Sequence, residues 1–246
     1  MKIVAIISAF AALTVLKVPK MDPCLKEVDA VFKNMYGQLP QKGKTVYVSY
    51  EIVTTSRAQS DLEKEEVKRM EIKTYAGENQ YRFISSEMEV YQDKEYAFTV
   101  IPGRKIIYWA EASKAANTND RINQAKKLQD TLFHNYERVT CDVPKSTGAA
   151  KLVTLFPNKT WGELMQIESV EYYLNSEKKE LEKQVIRYTK HKKLKSVEYL
   201  FKETNYDYKG INLVRPVKEL FISGKSKLSS AYAGYQLIDV RKKKTP

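Results

Sequence analysis

The stretch that decides the fold is residues 88–112, MEVYQDKEYAFTVIPGRKIIYWAEA. Three short runs in it alternate apolar with polar residues, and the breaks QDKE and PGR separate them. Alternation with a period of two is typical of half-buried β-strands. Because a parallel pair would need a crossover of a dozen or more residues, these short breaks predict neighbouring antiparallel strands. The stretch is therefore predicted to be a β-meander with one apolar face.

The same period continues on both sides of this meander. Before it, TVYVSYEIVTT (45–55) alternates cleanly, and residues 65–86 read as a hairpin around Gly77-Glu78-Asn79. A bulge is expected where the alternation breaks, near Glu168-Ser169. After the meander, strands are predicted in KLVTLF (151–156), ELMQIESVEYYLN (163–175), ELEKQVIRYT (180–189), KSVEYLFKETNY (195–206), VKELFIS (217–223) and YQLIDV (235–240).

Two segments change to the period of an amphipathic helix. In residues 21–40, MDPCLKEVDAVFKNMYGQLP, Asp22 can cap a helix that begins at Pro23 and ends near Gly37. The second helix, within residues 117–139, would place these side chains on one face: Ile122, Ala125, Leu128, Leu132 and Tyr136.

These elements predict a β-rich α+β fold. Its main part is a strongly curved antiparallel sheet of about eleven strands, an unclosed β-barrel, with one N-terminal helix and one helix inserted in mid-chain. No linker separates the two halves of the sequence, so we predict a single domain over residues 22–246.

The N terminus has the pattern of an export signal. Lys2 precedes an unbroken apolar run from Ile3 to Leu16, which is shorter than the roughly 20 residues that a membrane-spanning helix needs. We predict a signal peptide over residues 1–18 and an exported protein, with the bacterial periplasm as the expected compartment. The alternative is that this run is an apolar strand or helix of the folded domain.

Cys24 and Cys141 are the two cysteines of the chain. In an oxidising compartment they can form a disulfide, and closing so long a loop would stabilise the fold by roughly 4 to 5 kcal/mol on a chain-entropy model. Two unpaired buried thiols are the alternative that the sequence leaves open.

The formal net charge of +12 suits an anionic partner. Acidic and basic residues alternate along most of the chain, however, and the one-sided runs are KHKKLK (190–195) and RKKK (241–244). We interpret these runs as solvated strand ends or tails, with a binding patch as the alternative. No motif of a nucleic-acid-binding fold is present, so no nucleic-acid partner is predicted.

The sequence has no pattern of a catalytic or metal site. His134 and His191 are the two histidines, whereas a zinc site needs three or four well-spaced ligands. No serine lies in a G-x-S-x-G elbow. Residues 224–226, GKS, resemble the end of a phosphate-binding loop, but Glu219 stands five positions before Gly224, where that motif needs glycine. We therefore predict no metal, no cofactor, no catalytic residues and no enzymatic activity.

The apolar face of the predicted sheet is the remaining candidate site. If the polar strand residues face water, their neighbours in sequence face the opposite side. The residues expected to face water are Glu51, Glu71, Arg82, Glu89 and Thr99. A curled sheet under two helices would then enclose a hydrophobic ligand cavity, and a filled core is the alternative. The predicted lining is Val48, Tyr50, Ile52, Met70, Ile72, Tyr81, Phe83, Met88, Val90, Phe98 and Val100.

The order of these parts resembles the periplasmic lipoprotein carriers of the LolA-like and LolB-like family. The resemblance covers roughly residues 22–210 and rests on four stretches: DPCLKEVDAVFKNM, TVYVSYEIVTT, KIIYWAEA and ELMQIESVEYYLNSEKKELEKQVIRYTK. It implies an unclosed β-barrel with helices over its open side and an acyl group held in a hydrophobic cavity.

These observations predict a non-enzymatic, exported carrier. It would hold an acyl chain, a lipoprotein or another apolar ligand, and peripheral contact with a membrane is compatible with that role. The alternative is a structural or interaction protein of the cell envelope, with a filled core and a basic surface that binds a protein partner.

Overall fold

A computed structural model describes residues 21–38, 43–58, 64–112, 126–127, 129–142, 150–211, 213–224 and 227–241. The predicted signal peptide lies outside these residues, as do Ile122, Ala125 and Leu128 of the predicted second helix.

The strands are β1 (Val46–Ser56), β2 (Glu66–Ala76), β3 (Tyr81–Ser85), β4 (Glu89–Gln92), β5 (Tyr96–Ile101), β6 (Ile106–Glu111), β7 (Tyr136–Asp142), β8 (Lys151–Pro157), β9 (Ile167–Asn175), β10 (Glu180–Tyr188), β11 (Leu194–Asn205), β12 (Ile222–Ser223), β13 (Lys227–Leu228) and β14 (Gln236–Asp239). The helices are α1 (Pro23–Gly37), α2 (described at 126–127 and 129–134), α3 (Lys159–Met165) and α4 (Val217–Phe221). Short 3₁₀ turns at Pro102–Arg104 and Ser230–Tyr232 precede β6 and β14.

Twelve strands form one sheet in the order β14-β6-β5-β4-β3-β2-β1-β11-β10-β9-β8-β7. The two ends of this order, β14 and β7, do not pair with each other, so the sheet is an open half-barrel, and the predicted fold class is confirmed. Fourteen strands are described, against about eleven predicted: twelve lie in this sheet, and β12 and β13 form a separate hairpin. The short β14 also runs parallel to β6, whereas the other pairings in the sheet are antiparallel.

Helix α1 forms as its sequence predicts. The Asp22 side chain accepts a hydrogen bond from the Cys24 N–H at 2.8 Å, and Pro23 occupies the first turn. The α1 side chains Leu25 and Val28 are fully buried. The predicted hairpin around residues 77–79 is confirmed, because β2 pairs antiparallel with β3. The predicted bulge is also confirmed, because Arg187 pairs with Ser169 while Tyr188 pairs with Ile167, which leaves Glu168 without a partner on β10.

Three predicted elements are wrong in part. The segment VKELFIS is helix α4 followed by a two-residue strand, because Asp93 caps it and Phe221 packs on the sheet. The first residues of ELMQIESVEYYLN belong to α3, where the Asn158 side chain caps the helix by accepting from the Trp161 N–H. Tyr136 begins β7 and is not part of α2.

Helices α1 and α4 pack on opposite faces of the sheet, which we call the α1 face and the α4 face. Helix α1 packs on β7–β10, over a core that includes Val153, Leu155 and Tyr172. Helix α4 packs at the other end of the sheet, over Phe98 and Trp109. Each face of the sheet is therefore covered by a helix at one end. Separately, none of the helices among the described residues is both long and apolar enough to cross a bilayer.

Paired charged side chains lie on the α4 face of the middle strands. Lys202 lies between the carboxylates of Glu51 and Glu71. Arg187 binds both carboxylate oxygens of Glu171 from the neighbouring strand. Such cross-strand ion pairs on a solvated face explain why Glu51 and Glu71 point away from the α1 face, as the alternation predicts.

A disulfide joins Cys24 of α1 to Cys141 of β7, with a Cα–Cα distance of 6.2 Å. That separation lies in the ordinary range for a disulfide. The bond therefore ties the first helix to the edge strand of the sheet.

Candidate functional site

The candidate site is the part of the α1 face that α1 leaves uncovered. Cross-strand partners share a face of the sheet. From the core under α1, this face continues to β2 through the pairs Tyr172–Gln184, Gln184–Tyr199, Tyr199–Ile52 and Ile52–Met70. The pairs Thr74–Phe83 and Phe83–Val90 continue this face to β4. We call the following residues the apolar strip: Val48, Tyr50, Ile52, Met70, Ile72, Tyr81, Phe83, Val90, Tyr199 and Phe201.

The side chains of the apolar strip are half-buried, except for Ile72, which is 1% exposed. Phe201 also packs against the core under α1, so the strip continues directly from that core. Half-burial over several adjacent strands leaves a contiguous apolar surface on the sheet, which is the kind of surface that binds apolar ligands.

Tyrosine hydroxyls supply the polar groups of the strip. The Tyr50 ring centroid lies 5.9 Å from that of Phe201 and 6.4 Å from that of Tyr199. Burial raises the pKa of Tyr50 to about 12, and it also raises the pKa of Tyr199. Both phenols therefore stay neutral at physiological pH, and the strip carries hydroxyl groups without carrying charge.

Eight of the eleven predicted lining residues lie together in the strip. Met88 lies in the turn before β4, where its backbone carbonyl accepts a hydrogen bond from the Ser85 N–H at 2.9 Å. Phe98 and Val100 lie on the α4 face, so the prediction of one shared face is wrong for these two residues. Val90 pairs with Thr99, while Phe98 pairs with Tyr91.

The error at Phe98 has a local cause. Alternation holds only within one strand. The even-numbered residues of β4 lie on the α1 face, whereas after the turn at residues 93–95 the even-numbered residues of β5 lie on the α4 face. The Asp93 side chain shapes that turn by accepting hydrogen bonds from the N–H groups of Glu95 and Tyr96 at 2.9 and 2.8 Å. The Phe98 ring consequently stacks on Phe221, with centroids 4.5 Å apart.

Arg82 and Thr99 also depart from the expectation that they face water opposite the apolar residues. Arg82 does lie on the α4 face, but it is only 9% exposed, with its guanidinium carbon 5.4 Å from the Tyr91 ring centroid. Loss of solvent lowers the pKa of Arg82. Thr99 lies on the α1 face beside Val90.

Tyr199 and Phe201 belong to the strip but were not in the predicted lining. The alternation of KSVEYLFKETNY already places them on one face of β11. What sequence could not show is that β11 pairs with β1, where Tyr199 is opposite Ile52 and Phe201 is opposite Tyr50.

A separate cavity of about 850 Å³ lies at one end of the sheet. The turns at 77–80 and 93–96 and residues 208–211 and 213–219 line it, and its lining carries acidic and basic residues in equal number. Gln80 and Asp93 hold residues 213–219 in place by hydrogen bonds to the backbone at Arg215 and Val217. None of the residues of the apolar strip lines this cavity, so it is not the predicted hydrophobic one.

Among the described residues, no group of three or more His, Cys, Asp or Glu side chains is placed to hold a metal ion. The chemistry that the strip offers is apolar contact together with neutral hydroxyl groups. This arrangement can bind the hydrocarbon part of a ligand and donate or accept a hydrogen bond beside it.

No family model and no curated protein sequence matches this chain. Among solved structures, it is similar to LprF from Mycobacterium bovis (9% identity, 77% of this chain and 96% of that chain, TM-score 0.40). It is also similar to an uncharacterised conserved protein from Thermus thermophilus (10% identity, 89% and 99%, TM-score 0.38). A third is a LolA superfamily protein from Nitrosomonas europaea (8% identity, 81% and 97%, TM-score 0.27).

These similarities concern the fold alone. They include a LolA superfamily protein, and the order of elements in the sequence resembles that family.

Proposed function

We propose that this chain is a non-enzymatic, exported binding protein that holds an acyl chain or another apolar ligand on the apolar strip. The observation that supports it is the contiguous, half-buried set of aliphatic and aromatic side chains on β11 and β1–β4, beside the region that α1 covers. A surface of this kind would expose apolar area to water unless a ligand or partner covers it.

The contrast between the two faces supports this location for the ligand. On the α4 face, aromatic side chains of the chain itself fill the space, and Phe98, Val100 and Ile107 are at most 1% exposed. On the α1 face, Tyr50, Phe83 and Val90 keep part of their surface accessible. Only the second arrangement leaves apolar side chains accessible to an acyl chain.

The disulfide supports the proposed compartment. Structural disulfides form and persist in oxidising compartments and are rare in the cytosol. The bond between Cys24 and Cys141 therefore favours export, which is also what the apolar N-terminal run predicts.

Phe83→Asp is expected to reduce the uptake of a fluorescent fatty acid at least tenfold. A carboxylate in the middle of the strip would have to lose its water when an acyl chain covers it, which costs more than the roughly 1.4 kcal/mol that corresponds to a tenfold change. Because Phe83 is only half-buried, the variant should still fold, with circular dichroism like that of the parent.

Val67→Asp is the matched control for this experiment. Val67 is 53% exposed and lies on the opposite face of β2 from Met70, so it receives the same new carboxylate away from the strip. We expect parental uptake for this variant. Equal uptake by the parent and a folded Phe83→Asp variant would show that the strip does not bind the acyl chain.

A further inference from the structure

The turn between β10 and β11 carries basic residues that have no acidic partner in the described part of the chain. Lys190, His191, Lys192 and Lys193 lie in this turn, and with Arg57 and Ala58 after β1 they line a cleft of about 290 Å³. We call these six residues the basic cleft. None of its lysines or Arg57 forms an ion pair with a residue that the structure describes, although nearby Lys195 pairs with Glu65 at 2.7 Å.

Arg57 is fixed in this cleft by the backbone around it. Its own N–H donates to the Lys193 carbonyl at 2.8 Å, and one terminal guanidinium nitrogen donates to the carbonyls of Tyr188 and Thr189 at 2.7 and 3.3 Å. These hydrogen bonds hold the positive charge of Arg57 beside the lysines of the turn, where it can attract an anionic oxygen.

Side chains on one face of the sheet connect the basic cleft with the apolar strip. The Lys192 Nζ atom lies 4.0 Å from the centroid of the Tyr188 ring. Tyr188 lies two residues beyond Ile186 on the same face of β10, and Ile186 pairs with Val197, which precedes Tyr199 of the strip by two residues. This series of neighbouring side chains passes from the middle of the strip to the lysines of the turn.

The separation along the sheet fits an amphiphilic ligand. Ile52 in the strip and Ser56, the residue before Arg57, lie on the same face of β1, and four residues of a β-strand span roughly 13 Å. That distance is comparable with the length of an extended acyl chain. A hydrocarbon lying on the strip could therefore end at the basic cleft.

We propose that the basic cleft binds the anionic head group, such as a phosphate, of an amphiphile whose acyl chain lies on the apolar strip. This inference rests on the proposed function and adds to it the chemical class of the ligand. Lysine and arginine together would neutralise the head group, while the tyrosines and aliphatic side chains of the strip cover the chain.

The test compares decyl phosphate with decanol, which have the same chain, by isothermal titration calorimetry below the concentration at which micelles form. We expect the parent protein to bind decyl phosphate at least about tenfold more tightly, because charge-assisted contacts are strong. The preference should fall as sodium chloride is added, since exposed charges are screened. In the variant Lys192→Glu/Lys193→Glu, decanol binding should persist and the preference for decyl phosphate should disappear.

Lys178→Glu/Lys179→Glu is the control, because it makes the same charge change in the exposed turn at the other end of β10. It should keep the preference, whereas Phe83→Asp should weaken the binding of both ligands equally. Equal binding of the two ligands by the parent, or a preference that survives in Lys192→Glu/Lys193→Glu, would overturn the inference and leave the proposed function standing. Failure of both ligands to bind the parent would overturn both proposals.

Inorganic phosphate distinguishes a lipid head group from a free anion. We expect it to bind the parent far more weakly than decyl phosphate, because it gains nothing from the apolar strip. Equal affinity for inorganic phosphate and decyl phosphate would mean that the cleft takes the free ion, and the connection with the strip would be wrong.

Discussion

Phe98→Ala is expected to lower the free energy of unfolding by about 3 to 5 kcal/mol, the usual cost of truncating a fully buried phenylalanine. Phe98 is 0% exposed, and its ring stacks between Phe221 of α4 and Trp109 of β6, at centroid distances of 4.5 and 5.5 Å. The cavity would remove the contacts that hold α4 on the sheet. For a chain of this size we expect the melting temperature to fall by roughly 6 to 20 °C.

Thr99→Ala is the matched control, because Thr99 is the next residue of β5, is only half-buried and lies on the α1 face. It should melt close to the parent. Below its melting temperature, Phe98→Ala should still take up fatty acid, in contrast with Phe83→Asp. A melting temperature for Phe98→Ala equal to that of Thr99→Ala would contradict the packing of α4 on this face.

Removing the disulfide is the second change with a large expected effect. The double variant Cys24→Ser/Cys141→Ser should lose roughly 4 to 5 kcal/mol of stability on the chain-entropy model, because the bond closes a loop between residues separated by 117 positions. The bond also ties α1 to β7, so α1 should lose protection in amide hydrogen exchange before the middle strands do.

A reducing agent provides the control for this variant. It should lower the melting temperature of the parent to that of the double variant and leave the double variant unchanged. If reduction has no effect on the parent, the two cysteines are not joined in the native protein. We expect the loss to be concentrated around Leu25 and Val28, whose burial depends on α1 lying against the sheet.

Local patterns predicted the elements whose ends are determined by nearby residues. Helix α1 has its cap, its proline and its apolar face within about sixteen consecutive residues, a window short enough for periodicity alone to place it. The hairpin of β2 and β3 is similar, because one short turn at Gly77 determines it. The bulge at Glu168 was also visible, since an extra residue interrupts the alternation within the strand.

Helix α4 shows where local patterns were insufficient. Its five residues are too few for periodicity to separate a helix from a strand. The helix forms because the Val217 N–H donates to the Asp93 carboxylate at 2.8 Å, and because Phe221 packs on Phe98. Asp93 precedes Val217 by 124 positions, so no window of sequence contains both groups.

The candidate site likewise has one part that local sequence patterns predicted and another part that depends on tertiary contacts. By itself the sequence determined the alternation along β1, β2 and β3, and with it the common face of Tyr50, Ile52 and Phe83, because side chains alternate strictly within a strand. Only the tertiary structure decided that β11 pairs with β1, which adds Tyr199 and Phe201 to that face. It also decided that the turn at Asp93 moves Phe98 to the opposite face, where α4 buries it. Strand pairing and the covering of each face depend on contacts between distant residues, and such contacts leave no periodic pattern in the chain.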